Sequence, residues 1–280
     1  MYKVNWHNSF RNRLKSSSIR RIFWMIVKRD VFLSRKREEE FYRSLLVGLK
    51  QGDMVFDVGA NEGAKTDIFL RLGAKVVAIE PDGACLSMLR DRFLRYRWRP
   101  SRVSLVGKAV SDKSGMDEMW IDGPGSAVNT MSRKWADHLK GNKDSFRHGH
   151  FGLEFSQSKS VETTTIGDLV KLYGSPFFIK IDVEGHELGV LRGMPKPVPF
   201  LSFEVNLASF RQEGVECARV LSQLEPNGRF NYTQDCCAGL ALRDWLAPEE
   251  FCSVLDSCTE ETIEVFWRSN CGAVRSEAAQ

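Results

Sequence analysis

The sequence predicts a doubly wound α/β domain on a mostly parallel sheet, with a helical N-terminal extension. Three observations predict it. Short apolar runs alternate with helix-length segments from residue 53 onward, a glycine-bearing turn follows the first run, and an acid followed by proline closes the second. Apolar strands separated by helices of about 10–15 residues imply right-handed crossovers and parallel pairing. At 280 residues, with 42% hydrophobic and 11% aromatic side chains, the chain can bury a full core, which excludes wholesale disorder.

Residues 1–50 read as a basic helical extension. Ile19, Ile22, Phe23, Ile26 and Val27 follow helical spacing among Arg20, Arg21, Lys28 and Arg29. A second helix is predicted over Glu38–Leu49, ending at Gln51-Gly52. Residues 51–280 form the main domain. Met54–Val58 is a buried strand, Ala64–Leu72 a helix stopped by Gly73, and Lys75–Ile79 the next strand. A helix over Ala84–Tyr96 and a strand at Val103–Val106 follow. Residues 113–160 are polar and punctuated by Gly123-Pro124-Gly125, Gly141-Asn142 and His148-Gly149-His150. They read as an irregular insertion with a short strand at Met119–Ile121 and a helix near Arg133–Leu139. Such long loops are commonly lids, so the insertion is expected to choose the acceptor and leave cofactor binding to the main domain. Its His138, His148, His150, Trp120 and Trp135 read as loop and packing residues, with a substrate-side base or acceptor stacking as the sharper alternative. A helix over Thr165–Leu172, strands at Phe177–Ile181 and Phe200–Val205, a helix over Cys217–Leu224 and a strand at Ile263–Trp267 complete the domain.

Composition narrows the class. The longest apolar run, Ile22–Val27, is far below the ~20 residues a membrane-spanning helix needs. No basic-apolar-small leader opens the chain, so a cytoplasmic protein is expected. Residues 1–50 hold 13 Lys/Arg against four Asp/Glu, and the remainder 27 against 32. A basic arm on an acidic body can meet nucleic acid, the body itself, or an anionic membrane surface through residues 1–37. Trp24 and Met25 leave little of the helix purely polar, which favours docking on protein. The oligomeric state is left open. Six of the seven cysteines fall in the last 64 residues without a C-x-x-C pair, so they read as reduced, mostly buried thiols.

The strongest local signal is Asp57-Val58-Gly59-Ala60-Asn61-Glu62-Gly63, placed where a strand gives way to a helix. Gly59 permits a sharp turn and Gly63 a close approach of backbone to ligand. Asn61 stands near the place of the middle glycine of a dinucleotide fingerprint, which weakens a pyrophosphate reading. A ligand with an amine and a carboxylate suits Asp57 and the free N–H groups opening the helix. Glu80 ends the second strand, where an acid accepts ribose hydroxyls.

This turn, Ile79-Glu80-Pro81, Lys108-Ala109-Val110-Ser111-Asp112, Ile179-Lys180-Ile181-Asp182-Val183-Glu184-Gly185-His186-Glu187 and Phe203-Glu204-Val205-Asn206 occur in that order. Together they resemble the FkbM-type family of S-adenosylmethionine-dependent methyltransferases, over roughly residues 53–206. The resemblance implies a Rossmann-like, seven-stranded sheet with its last strand antiparallel, and S-adenosyl-L-methionine at the carboxyl ends of the strands. It implies that Asp57, Gly59, Asn61 and Gly63 surround the methionine part, Glu80 the ribose, and Asp112 the neighbourhood of the adenine.

The fourth motif concentrates charge at the end of an apolar strand. Lys180 and Asp182 share a face, and buried charge must be compensated or functional. One reading pairs Lys180 and lets Asp182 and Glu184 cap the next helix. The other makes Asp182 and Glu184 the floor of the methyl-transfer site, with Glu204 beside them. Methyl transfer to a hydroxyl needs positioning and a base: His186 by its ordinary pKa, or Glu184 or Glu204 if burial raises theirs. Carboxylates could also hold magnesium, but no metal ligand is assigned. The expected function is methylation, O-directed, of a small-molecule or glycan hydroxyl. Nucleic acid is disfavoured, because Asp182-Val183-Glu184-Gly185 stands where base-directed enzymes often carry Asn/Asp-Pro-Pro-aromatic. A dinucleotide-dependent oxidoreductase and a catalytically silent module anchored by the arm remain as alternatives.

Overall fold

A computed structural model describes residues 33–98, 102–141, 153, 155 and 157–270. The helix expected over residues 19–27, with its docking or membrane role, lies outside the described residues, as do His148 and His150. Helix α1 (residues 33–45) leads into β1 (Met54–Val58), α2 (Ala64–Arg71), β2 (Lys75–Ile79), α3 (Gly83–Arg92), α4 (Leu94–Trp98) and β3 (Val103–Val106). Next come β4 (Ala109–Val110), β5 (Gly115–Ile121), α5 (Arg133–Gly141) and β6 (Gln157–Thr164). The chain continues with α6 (Ile166–Tyr173), β7 (Phe178–Ile181), α7 (Glu187–Arg192), β8 (Phe200–Asn206), α8 (Leu207–Leu224), β9 (Arg229–Thr233), α9 (Pro248–Ser257) and β10 (Thr262–Arg268).

Seven strands form the main sheet in the order β3-β2-β1-β7-β8-β10-β9, and only β10 runs against its neighbours. The chain winds outward from β1 to β3 and returns to pair β7 with β1. That reversal opens a crevice at the carboxyl ends of β1 and β7, where open α/β sheets receive ligands. The strands read as unbroken apolar runs because both faces are covered. Phe56, Val58, Ile179 and Ile181 enter one core with α6, α7, α8 and α9, whereas Val55, Val76 and Phe178 enter the other with α1, α2 and α3. Tyr42 of α1 is fully buried, its ring 5.2 Å from that of Phe69 and 6.0 Å from that of Phe178. Among the described residues no helix is long and apolar enough to cross a membrane.

Several elements differ from the sequence reading. The helix expected over Ala84–Tyr96 breaks at Phe93, whose φ of −104° leaves helical geometry while its ring is buried. The segment expected to be irregular is partly a sheet: β5 pairs antiparallel with β6 from Gly115↔Thr163 to Ile121↔Gln157, and β6 pairs with β4. Most of its side chains face solvent, so no apolar alternation marked it. Helix α8 starts ten residues before the expected Cys217, at an Asn206 cap that accepts the Ser209 N–H. The six described cysteines are free thiols, but only Cys85 and Cys217 are buried.

Candidate active site

The first turn is built by close approach. Gly59 has φ +81°, and a Cβ there would lie 1.7 Å from the Asp182 carbonyl oxygen, so β1 and β7 can converge only over a glycine. Gly63 has another reason than the expected one: its φ is +78°, and a Cβ would strike the side chains of Leu89 in α3 and of Phe93 at its end. The Gly59 and Ala60 N–H groups both donate to the Ile79 carbonyl, Gly63 N–H to Ala60, and Asn61 N–H to Glu80 Oε2 at 2.9 Å. These four amides are therefore spent within the chain and not offered to a carboxylate. Asp57 lies beneath the turn, 1% exposed, and accepts the Thr66 hydroxyl. Burial pushes its carboxyl up to about 6, against the Thr66 bond and the Lys180 charge.

Glu80 is 7% exposed at the end of β2. Its Oε2 takes the Asn61 N–H and its Oε1 the Asp82 N–H at 2.8 Å, leaving one lone pair on each oxygen for a further donor. Burial raises its pKa. Asp82 caps α3 through Ala84 and Cys85, and also receives Gly125 N–H at 3.1 Å and Asn129 Nδ2 at 3.3 Å. A loop of the 113–160 segment is thereby tied to the second strand. Thr130 ties the same loop to the fourth motif by donating to the Glu184 carbonyl at 2.6 Å.

The fourth motif supplies a carboxylate floor. Lys180 is 2% exposed, 3.1 Å from Asp182 Oδ2 and 3.6 Å from Glu264 Oε1, and Glu264 also accepts the Tyr42 hydroxyl at 3.1 Å. Burial opposes the Lys180 charge, but Asp182, Glu264 and Glu204 outweigh it and keep the ammonium protonated. Burial and the Asp182 charge push Glu204 up to about 8, against Lys180. Burial and the same charge raise Glu184 well above the ordinary carboxyl range. Glu184 itself sits at φ +56°, a left-handed conformation that a side chain rarely adopts. Neither Asp182 nor Glu184 caps α7. The helix has no side-chain cap; Glu187, its first residue, instead closes the preceding turn by accepting the Val183 and Gly185 N–H groups on Oε1 at 3.2 Å each.

These elements enclose a cleft of about 270 Å³. Of the residues expected from the sequence, Gly59, Asn61, Glu80, Asp182, Glu184 and Glu204 line it. Asp57 and Gly63 stand behind its wall. Asp112 accepts from Ser111 Oγ at 3.2 Å, and His186 Nε2 lies 3.0 Å from the same hydroxyl; neither faces the cleft. Burial lowers the His186 pKa. Met119, Ala127, Asn129, Thr130 and Met131 of the insertion line the cleft beside Gly59 and Glu80. Lys108, which opens the motif that ends in Asp112, reaches the cleft where Asp112 does not. A second, tighter cavity of about 40 Å³ adjoins Asp182, Glu184 and Glu204 beneath Trp135 and Phe210. Among the described residues no three His, Cys, Asp or Glu side chains are arranged to hold a metal ion.

A seven-stranded sheet with one reversed strand, and a cleft over β1, β2 and β7, defines the Rossmann-like methyltransferase fold. The chain belongs to the family of the methyltransferase FkbM domain, whose model matches residues 57–232. It is 26% identical over 170 residues to the hexuronic acid methyltransferase AglP of Haloferax volcanii; the match covers 60% of this chain and 61% of that relative. Among solved structures it is similar to methyltransferase FkbM from Methylobacillus flagellatus (TM-score 0.47, 16% identity, covering 78% of this chain and 44% of that one). It is also similar to the O-methyltransferase from Bacillus cereus in complex with SAH (TM-score 0.38, 13% identity, 84% and 81%).

Proposed function

We propose that this methyltransferase uses S-adenosyl-L-methionine to methylate a hydroxyl of a small molecule or glycan. The observation that carries the reading is the charge of the cleft. Glu80, Asp182, Glu184 and Glu204 face it with Lys108 as their one cationic counterpart among the described lining residues. Such a wall attracts a sulfonium and an ammonium and repels a pyrophosphate, which also sets a dinucleotide aside. The free lone pairs of Glu80 suit a ribose diol, and Lys108 to Val110 border the space beyond it for the adenine.

When bound, S-adenosylmethionine supplies an electrophilic methyl group. The chain's own task is to align the acceptor and take its proton. Glu204 is the base we assign, because it lines the cleft and burial holds its pKa near the pH at which a carboxylate both ionises and accepts protons well. Asp182, fixed by Lys180, supplies negative potential beside the reacting centre. His186 receives no role in the step. S-adenosylhomocysteine should raise the melting temperature with the logarithm of its concentration above Kd, and NAD(H) should not; the reverse result refutes the assignment. Turnover with any acceptor eliminates a silent binding module.

A further inference from the structure

A third space opens on the far side of Glu204. It is a groove of about 300 Å³ bounded by α1, α2, the start of β10 and the loop after β9. Glu204 belongs to its wall, to the wall of the cofactor cleft and to that of the tight cavity under Trp135. The tight cavity holds no more than a few waters at about 40 Å³, so it cannot admit a sugar-sized molecule. With the cofactor assigned to the cleft, the groove is the one of these three spaces left for an acceptor that must meet Glu204.

We infer, on the methyltransferase reading above, that the groove is the acceptor site and that it selects a polyhydroxyl acceptor carrying no negative charge. Glu38, Asp235, Glu204 and Glu264 face the groove, whereas Lys65 is the cation on its described wall. Lys65 is already paired with Glu38. Lys180, behind Glu264, is committed to Asp182 and Glu264. Among the described residues no cation is left there for a carboxylate or phosphate, and bringing either beside these acids is repulsive in a partly desolvated site. A neutral or aminated sugar instead finds carboxylate acceptors for its hydroxyl and ammonium protons. The hexuronic acid of the relative's name is anionic, so this chain differs from it in acceptor charge.

The test uses tritium-labelled S-adenosylmethionine, the full-length protein, and a desalted small-molecule and glycan extract of cells that make it. The labelled product should pass an anion exchanger at pH 9, and its label should resist mild alkali. Retention on the exchanger overturns the inference, and so does release as methanol, which reports a methyl ester of a carboxylate. Location is tested separately with Gln234→Trp, at an exposed position on the groove wall. This variant should lose at least tenfold in transfer while its calorimetric S-adenosylhomocysteine affinity stays within twofold of wild type. Unchanged transfer removes the groove from the reaction. Absence of any transfer in a protein that fails to bind S-adenosylhomocysteine fails the methyltransferase reading itself.

Discussion

At the scale of single residues, two carboxylates divide the chemistry by their surroundings. Glu80 is held by two backbone N–H groups from opposite sides, so its oxygens are oriented before any ligand arrives. Glu80→Ala removes both acceptors for a diol and strands the Asn61 and Asp82 amides. Cofactor affinity should then fall by about 1–3 kcal/mol, roughly five- to a hundred-fold in Kd by calorimetry. Equal affinity in the folded variant removes Glu80 from the site. Glu204 lacks such support and is raised to about 8 by burial and Asp182. As a base it must be ionised, so kcat should climb as pH rises through about 8 and then level off. Glu204→Gln should lower kcat by roughly 10²–10⁴-fold and abolish that limb, with cofactor Kd little changed. A variant that keeps the same pH limb assigns the proton transfer to another group.

At the scale of elements, the cleft depends on a loop that the sequence left shapeless. Asp82 joins the α3 cap to Gly125 and Asn129, so one carboxylate fixes a helix start and a cleft wall together. Asp82→Ala should lose about 1 kcal/mol for the cap and a comparable amount for the tertiary bonds, near 2 kcal/mol in denaturant unfolding. It should also weaken the cofactor, because Asn129 and Thr130 are no longer held over Glu80 and Glu184. A loss of stability with no loss of affinity separates the loop from the site. The strands β1, β2, β7 and β8 were legible because they are buried on both faces and therefore mostly apolar, and the half-buried edge strand β3 because Val103, Leu105 and Val106 keep it apolar. The edge strand β9 was not, since its Asn231 is buried yet satisfied by Leu242, and β5 and β6 were not, since they lie mostly open to solvent. The same logic divides the site. Gly59, Asn61, Glu80, Asp182, Glu184 and Glu204 sit at strand ends, where sequence position fixes place. Met119, Asn129 and Thr130 reach the cleft by long-range contacts that no local pattern encodes.

At the scale of the whole molecule, the fold stores unfavourable ionisation where it forms the cleft. Asp57 is raised to about 6, Glu187 to about 7 and Glu204 to about 8, in each case first by burial. Each of these acids binds its proton more tightly folded than unfolded, where Asp and Glu titrate near 3.9 and 4.3. Between the unfolded and folded pKa values the native state therefore holds more protons, and stability falls as pH rises through that window. The lowered His186 acts in the opposite sense, but only below about 6.5, its ordinary value. From pH 6.5 to 8.5 the glutamates carry the decline, joined near its upper end by Cys85, Cys217 and Cys236, whose thiols burial holds protonated while unfolded thiols ionise at about 8.5. Lys180, raised by its carboxylate partners, stays charged throughout. The ligand-free protein should thus show a melting temperature that declines steadily across this interval. Glu204→Gln, which cannot ionise, should flatten the decline, whereas Asp168→Asn on the exposed edge of α6 should leave its slope unchanged. A melting temperature that rises from pH 6.5 to 8.5 contradicts the buried-acid account of the cleft. A Glu204→Gln slope equal to that of wild type shows instead that Glu204 carries its charge in the fold as easily as in water.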